Sequence, residues 1–198
     1  GTWEVVLACA PKLELNQRLF QAGLALETHV ARNTFVGWGG AVAGEMLEWY
    51  RHEYGYEAQQ KAQATGGVDW DWLMENAVKA PTGCRGTMFL PHMSGAATPV
   101  IDPKSMGAFV GLTNSTSHGE ILRAIIEGLD YQFLDIVAEL EAGLNIQSTQ
   151  IVVVGGATRN KFWMQNKADV TGRSITVSDI EDASPLGAAI LAGIGVGL

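Results

Sequence analysis

Cysteine, charge and long apolar runs are all scarce in this chain. Its two cysteines, Cys9 and Cys84, are too few for a disulfide framework, and no Cys-x-x-Cys pair is present. Both are expected as reduced, buried thiols of a cytoplasmic protein. Charged residues make up 17% of the 198 positions and hydrophobic ones 47%, a balance that excludes disorder and is common for one domain with a real core. Thirteen lysines and arginines stand against 21 aspartates and glutamates, a net charge of −8, so nucleic acid is not an expected partner. No apolar run has the length to cross a bilayer, so no membrane partner is expected, and no secretory signal is visible at the start. The four histidines, His29, His52, His92 and His118, lack metal-ligand spacing, and no metal site is expected. Walker A, His-Glu-x-x-His and Gly-x-Ser-x-Gly sequences are missing too. The GIGVG run from Gly193 to Gly197 follows a helix rather than a strand, which excludes a dinucleotide fingerprint.

What the chain does have is concentrated between Ile151 and Val177. Ile151 to Val154 read as a buried strand. Gly155 and Gly156 follow at once, then an amphipathic helix, a turn at Gly172, and a second strand from Ser174 to Val177. A strand that ends in Gly-Gly and opens a helix lets a ligand approach bare backbone, and the carboxyl end of an α/β strand is where ligands sit. Two readings stand here: a nucleotide or phosphate site, or a tight turn that needs glycine for its dihedrals alone. Asn160 likewise reads either as a ligand contact or as the cap of the helix it opens.

Upstream, Glu4 to Ala8 read as a strand. Leu13 to Arg32 fits a strand or an irregular segment. Trp38 to Gly55 carries a helical apolar stripe with Gly55 as its stop, Tyr56 to Val68 reads as a polar loop, and Asp69 is placed to cap a helix reaching Lys79. Met88 to Leu90 fits a short strand. Thr116 or Ser117 can cap a long helix from Gly119 to Ala142, with Gly143 past its end. Ser184 is placed to cap the last helix, with Pro185 at its first position. Arg123 and Glu127, four apart, suit an intrahelical pair. Trp163 reads as core, Asp169 as a surface carboxylate, and His92 as a core or loop residue. Strand, helix, strand, helix at the C-terminal end argues for an α/β layer, a sheet flanked by helices.

These residues also resemble a known family. Gly155, Gly156 and Asn160, then Trp163, Gln165, Ala168 and Asp169, then Gly172 and Val177 are similar to the closing motifs of the FGGY family of carbohydrate kinases. Met88 to Thr113, Leu122 to Asp135 and Ser184 to Gly197 resemble its other C-terminal blocks, in family order; the first third matches more loosely. The resemblance implies a ribonuclease H-like fold, shared with actin, hexokinase and the heat-shock ATPases, with residues 1–198 forming a single C-terminal lobe whose N-terminal lobe is absent. It implies an ATP-dependent kinase that transfers the γ-phosphate to a hydroxyl of a ketose, ketose-like sugar or polyol, with ATP and Mg²⁺ as cofactors and the isolated lobe inactive. Gly1 and Thr2 match the turn that meets the terminal phosphates, and Gly95, Gly155, Gly156 and Asn160 complete the implied ATP site. The catalytic base is implied upstream of Gly1, so no catalytic residue is expected in this chain. Ala188 and Ala189 are implied to pack the last helix at the lobe hinge. The expected partners are sugar, ATP, the missing lobe and, as one option, a second copy.

Two positions depart from the family pattern. Gly95-Ala96-Ala97-Thr98-Pro99 stands where many members carry Gly-Glu-Arg-x-Pro, and Thr113 to Ile121 lacks a His-x-Arg pair. The first departure motivates an alternative, a catalytically inactive relative that senses sugar or nucleotide. A third option is an actin-like or heat-shock-like ATPase, against which the Trp-x-Gln-x-x-Ala-Asp helix argues. The opening GTWEVV resembles L-fuculokinases more than xylulokinases.

Overall fold

The computed structural model describes residues 3–180 and 182–197. The expected phosphate residues Gly1 and Thr2 lie outside the described residues. Strand β1 (Trp3–Ala10) leads through a short helix α1 (Gln17–Gln21) to β2 (Ala25–Thr28) and β3 (Phe35–Val42). These strands form an antiparallel sheet in the order β1-β3-β2. Three helices follow, α2 (Gly44–Tyr54), α3 (Tyr56–Thr65) and α4 (Asp69–Lys79), and then a small antiparallel pair, β4 (Met88–Leu90) with β5 (Ala108–Val110). Helix α5 (His118–Leu144) precedes a parallel unit: β6 (Gln150–Val153), crossover helix α6 (Lys161–Thr171) and β7 (Ser174–Val177). Helix α7 (Ala183–Gly195) closes the described chain. The α/β expectation is met, with its strands distributed over three small sheets rather than one continuous sheet.

Helix α5 is the axis of the core. Leu122, Ile125, Ile126, Leu129, Ile136 and Leu140 keep a helical spacing, and none is more than 2% exposed. The N-terminal half of α5 packs with Met46, Leu47 and Tyr50 of α2, Leu73 of α4 and Trp163 of α6. Its C-terminal half packs with Val6, Leu19 and Leu24. The helix starts on a full capping box: Ser117 Oγ accepts the Glu120 amide, and Glu120 Oε2 accepts the Ser117 amide at 2.8 Å. It stops at Asn145, a left-handed cap with φ 52°, and not at Gly143. Gly143 lies inside the helix because a Cβ there would stand 2.2 Å from Leu19 Cδ2; the missing side chain is what lets α1 dock.

Several sequence expectations are corrected by such close approaches. The helix expected from Trp38 begins at Gly44, because FVGWGGAV forms β3. Its glycines mark contact: a Cβ on Gly37 would lie 2.9 Å from Leu144 Cδ1, on Gly39 2.7 Å from Leu24 Cδ2, and on Gly40 2.8 Å from the Glu4 carbonyl. The polar stretch after Gly55 is helix α3, which buries only Ala58 and Ala62, a stripe too narrow to show as hydrophobic periodicity. Asp69 is the first residue of α4 rather than its cap, and its carboxylate is held by Arg51 Nε at 2.7 Å. Ser184 and Pro185 lie inside α7, whose cap position is Asp182. No residue of α7 is buried, and Ala188 and Ala189, which the resemblance sets at a junction with the other lobe, are exposed on this one.

Gly128 shows how tightly α5 is set. A Cβ there would fall 2.4 Å from the Phe89 carbonyl oxygen, a backbone atom of β4. Gly128→Ala is therefore expected to destabilise the protein by about 1–3 kcal/mol through overpacking, read as a lower urea midpoint. An unchanged midpoint would show that β4 and α5 separate freely.

Candidate nucleotide site

The site begins where β6 runs out. Gly155 has φ 96° and ψ −180°, a conformation essentially reserved for glycine. It turns the chain into a short 3₁₀ segment, Gly156–Arg159, tied by Thr158 Oγ donating to the Gly155 carbonyl at 2.7 Å. Asn160 then caps α6: its Oδ1 accepts the Trp163 amide at 3.0 Å. Its Nδ2 lies 3.1 Å from Met74 Sδ on α4. A Cβ at Gly155 or Gly156 would meet nothing within 4 Å, so the corner faces open space and the chain needs no close packing there. The N-terminal end of α6, with no acidic residue in its first turn, favours negative charge at this corner.

That open space is a large cavity of about 1940 Å³. Gly155, Gly156 and Asn160 line one side of it, and β1 from Trp3 onward lines another. Among the described residues, β1 and β6 each pair on one edge, with β3 and β7 respectively. The start of α2 and the first turns of α4 complete the walls through Glu45, Val68, Trp70 and Met74. Gly95 lies outside this cavity; it turns with φ 87°, and its Cβ would approach Pro103 Cα at 3.1 Å. The structure thus brings Gly155, Gly156 and Asn160 together with the strand that follows Gly1-Thr2, and leaves Gly95 apart.

Beneath the corner lies a buried ionic group. Lys167 of α6 is fully buried, with Nζ 2.8 Å from Asp130 Oδ1 on α5 and 2.9 Å from Glu4 Oε1 on β1. Its approach to either carboxylate is oblique, short of a well-aligned hydrogen bond, and the ammonium lies 3.8 Å from the centre of the Phe133 ring. Asp130 also accepts from Trp163 Nε1 at 2.9 Å and from Asn166 Nδ2 at 2.6 Å. Burial pushes the carboxyls of Glu4 and Asp130 above their ordinary range, with Lys167 the main influence opposing it. Glu4 and Lys167, like Val68, Trp70 and Met74, are absent from the sequence-predicted site. One signal was available for Lys167: it falls four residues after Trp163, on the apolar stripe of α6.

The plainer sequence expectations also find their places. Arg123 Nε pairs with Glu127 Oε1 at 2.7 Å, and Glu127 accepts the Gly83 amide, fixing the turn before β4. Trp163 is core at 4% exposure, the exposed Asp169 accepts from Gln165, and His92 bonds Ser105. Cys84 is buried, and burial followed by the Glu127 charge pushes its thiol up to about 12. Cys9 departs from expectation: it is exposed, because it occupies an outward position of β1. Among the described residues there is no group of three or more His, Cys, Asp or Glu that could hold a metal ion. No helix among them is long and apolar enough to cross a membrane.

Comparison with known proteins identifies the family. A family model described as the FGGY family of carbohydrate kinases, C-terminal domain, matches residues 1–196. A glycerol kinase of Limosilactobacillus reuteri is 34% identical over 174 residues, covering 88% of this chain and 32% of that protein. A glycerol kinase structure from Plasmodium falciparum, solved with ADP, superposes with TM-score 0.78 at 25% identity, over 99% of this chain and 37% of its own. A xylulose kinase structure from Rhodospirillum rubrum gives TM-score 0.75 at 27% identity, over 100% and 37%. The chain spans about a third of the length of these relatives. Fold, motif order and family match converge: the chain belongs to the FGGY family of carbohydrate kinases, as the C-terminal domain.

Proposed function

We propose that this chain is the nucleotide-binding lobe of a cytoplasmic ATP-dependent kinase that phosphorylates a hydroxyl of a sugar or polyol. The observation that carries the reading is the shared cavity: the strand following Gly1-Thr2 and the corner at Gly155-Gly156 line one space. In this reading the backbone amides at Gly1-Thr2 and the Thr2 hydroxyl meet the terminal phosphates, because glycine turns offer N–H donors without steric conflict. The purine and ribose lie on the bare backbone of Gly156, against Val68 and Met74 of the facing helix. Asn160 uses its carbonyl oxygen on the helix cap and one amide N–H on Met74 Sδ, which leaves the second N–H to donate to base or ribose. Phosphoryl transfer is largely positioning and charge neutralisation. This lobe supplies the positioning; the base and most sugar contacts belong to the other lobe. Magnesium would arrive with the phosphates and would supply charge neutralisation.

The test uses the full-length protein, with ADP titration and a panel that includes glycerol and xylulose. Thr2→Ala is expected to lower turnover, and Asn160→Ala to raise the Michaelis constant for ATP by about tenfold, the worth of one hydrogen bond in a water-poor site. Unchanged kinetics in both variants overturn the site assignment. ADP binding without turnover of any sugar identifies a nucleotide-sensing relative instead.

A further inference from the structure

Packing alone does not account for the buried ionic group. Replacing such a group with apolar side chains of similar volume is often neutral or stabilising, so a fully buried lysine between two carboxylates is weak evidence for stability as its purpose. Its position is more informative. Asp130 has no exposure at all and is satisfied by Trp163 and Asn166, while the Glu4 side chain keeps 22% exposure and lines the cavity. Glu4 lines the cavity and stands two residues after Thr2 in the sequence, the residue to which the proposed function assigns the terminal phosphates. A free carboxylate there would repel a polyphosphate, and in a partly desolvated site that repulsion is poorly screened.

We propose that Lys167 is a positioning residue for the nucleotide phosphates: by pairing with Glu4 from inside the core, it draws that carboxylate back from the cavity and offsets part of its charge. Lys167 itself never touches the ligand, since its side chain is completely enclosed. The pairing also joins β1 to α6, so the two walls of the cavity share one ionic anchor. The inference rests on the nucleotide-lobe reading and adds a charge-control element to it.

The test compares adenosine, ADP and ATP binding by calorimetry in the full-length protein. In Lys167→Met, assayed at a pH alkaline enough to keep Glu4 ionised without its lysine partner, ADP and ATP affinity is expected to fall about tenfold while adenosine affinity stays within about twofold, because only charged ligands sense Glu4. Adding Glu4→Gln to Lys167→Met is expected to recover most of the ADP affinity. Glu4→Gln alone leaves Lys167 paired with Asp130 and is expected to tighten ADP by about threefold; this variant changes a partly exposed side chain and tests the idea even if Lys167→Met fails to fold. The inference is overturned if adenosine weakens as much as ADP in Lys167→Met, if Glu4→Gln gives no recovery, or if Glu4→Gln alone weakens ADP. A wild-type protein that binds no nucleotide removes the underlying reading as well. A wild type that binds while Lys167→Met matches it for all three ligands removes this inference alone.

Discussion

Asp130→Ala is expected to cost about 3–5 kcal/mol of folding stability, more than the overpacking at Gly128. The side chain has no exposure and serves three buried partners: Trp163 Nε1, Asn166 Nδ2 and the Lys167 ammonium. Removing it leaves two N–H donors without an acceptor, where each orphaned donor costs about 1–3 kcal/mol. Lys167 keeps one carboxylate, Glu4 at 2.9 Å, so the loss stays below that of a fully unpaired buried cation. Asp130→Asn keeps the volume and one acceptor oxygen and should fall about midway. Because the network joins α5, α6 and β1, the loss should appear as one cooperative shift of the urea midpoint, with no separate early phase for α6. A loss under about 1 kcal/mol for Asp130→Ala would mean that the network is solvated in solution and the core there is open.

The legible part of this fold is the part whose causes are local. The Gly-Gly corner, the Asn160 cap, the Gly172 left-handed stop and the strand on either side of α6 all follow from signals within a few residues. The Ser117 capping box is likewise written in adjacent positions. What escaped reading has distant causes. Gly37, Gly39 and Gly40 resemble a helix approach until Leu144, Leu24 and the Glu4 carbonyl are placed against them. Helix α3 packs on two alanines, so neither its period nor its polarity announces it. Among the residues that line the cavity, Gly155, Gly156 and Asn160 were legible as candidates, whereas Val68, Trp70 and Met74 reach it only through the packing of α4 across from them. Lys167 was nearly visible: a lone cation on an apolar helical face demands a buried anion, and the sequence could not say that two would answer, one from each of β1 and α5.

The largest effect on activity is expected from Gly155→Val in the full-length protein: a loss of about a hundredfold or more in kcat/KM for ATP, with little change in the Michaelis constant for sugar. The backbone at Gly155, φ 96° and ψ −180°, lies where only glycine rests without strain, and a β-branched residue there is strained by about 1–3 kcal/mol or more. No neighbour lies within 4 Å of the new Cβ, so nothing holds the strained corner in place. The chain can relieve the strain by rotating the corner, and the fold pays little for it. That rotation would carry Gly156 and Asn160 away from the positions in which they line the cavity with β1. Gly156→Ala separates strain from ligand contact. Its backbone is not left-handed and its Cβ would also meet nothing within 4 Å, so any loss of nucleotide affinity without loss of stability must come from the ligand itself meeting the methyl group. Full activity in Gly155→Val would show that the corner's shape is irrelevant to ATP; weakened ADP binding in Gly156→Ala at an unchanged urea midpoint would place the nucleotide on that backbone.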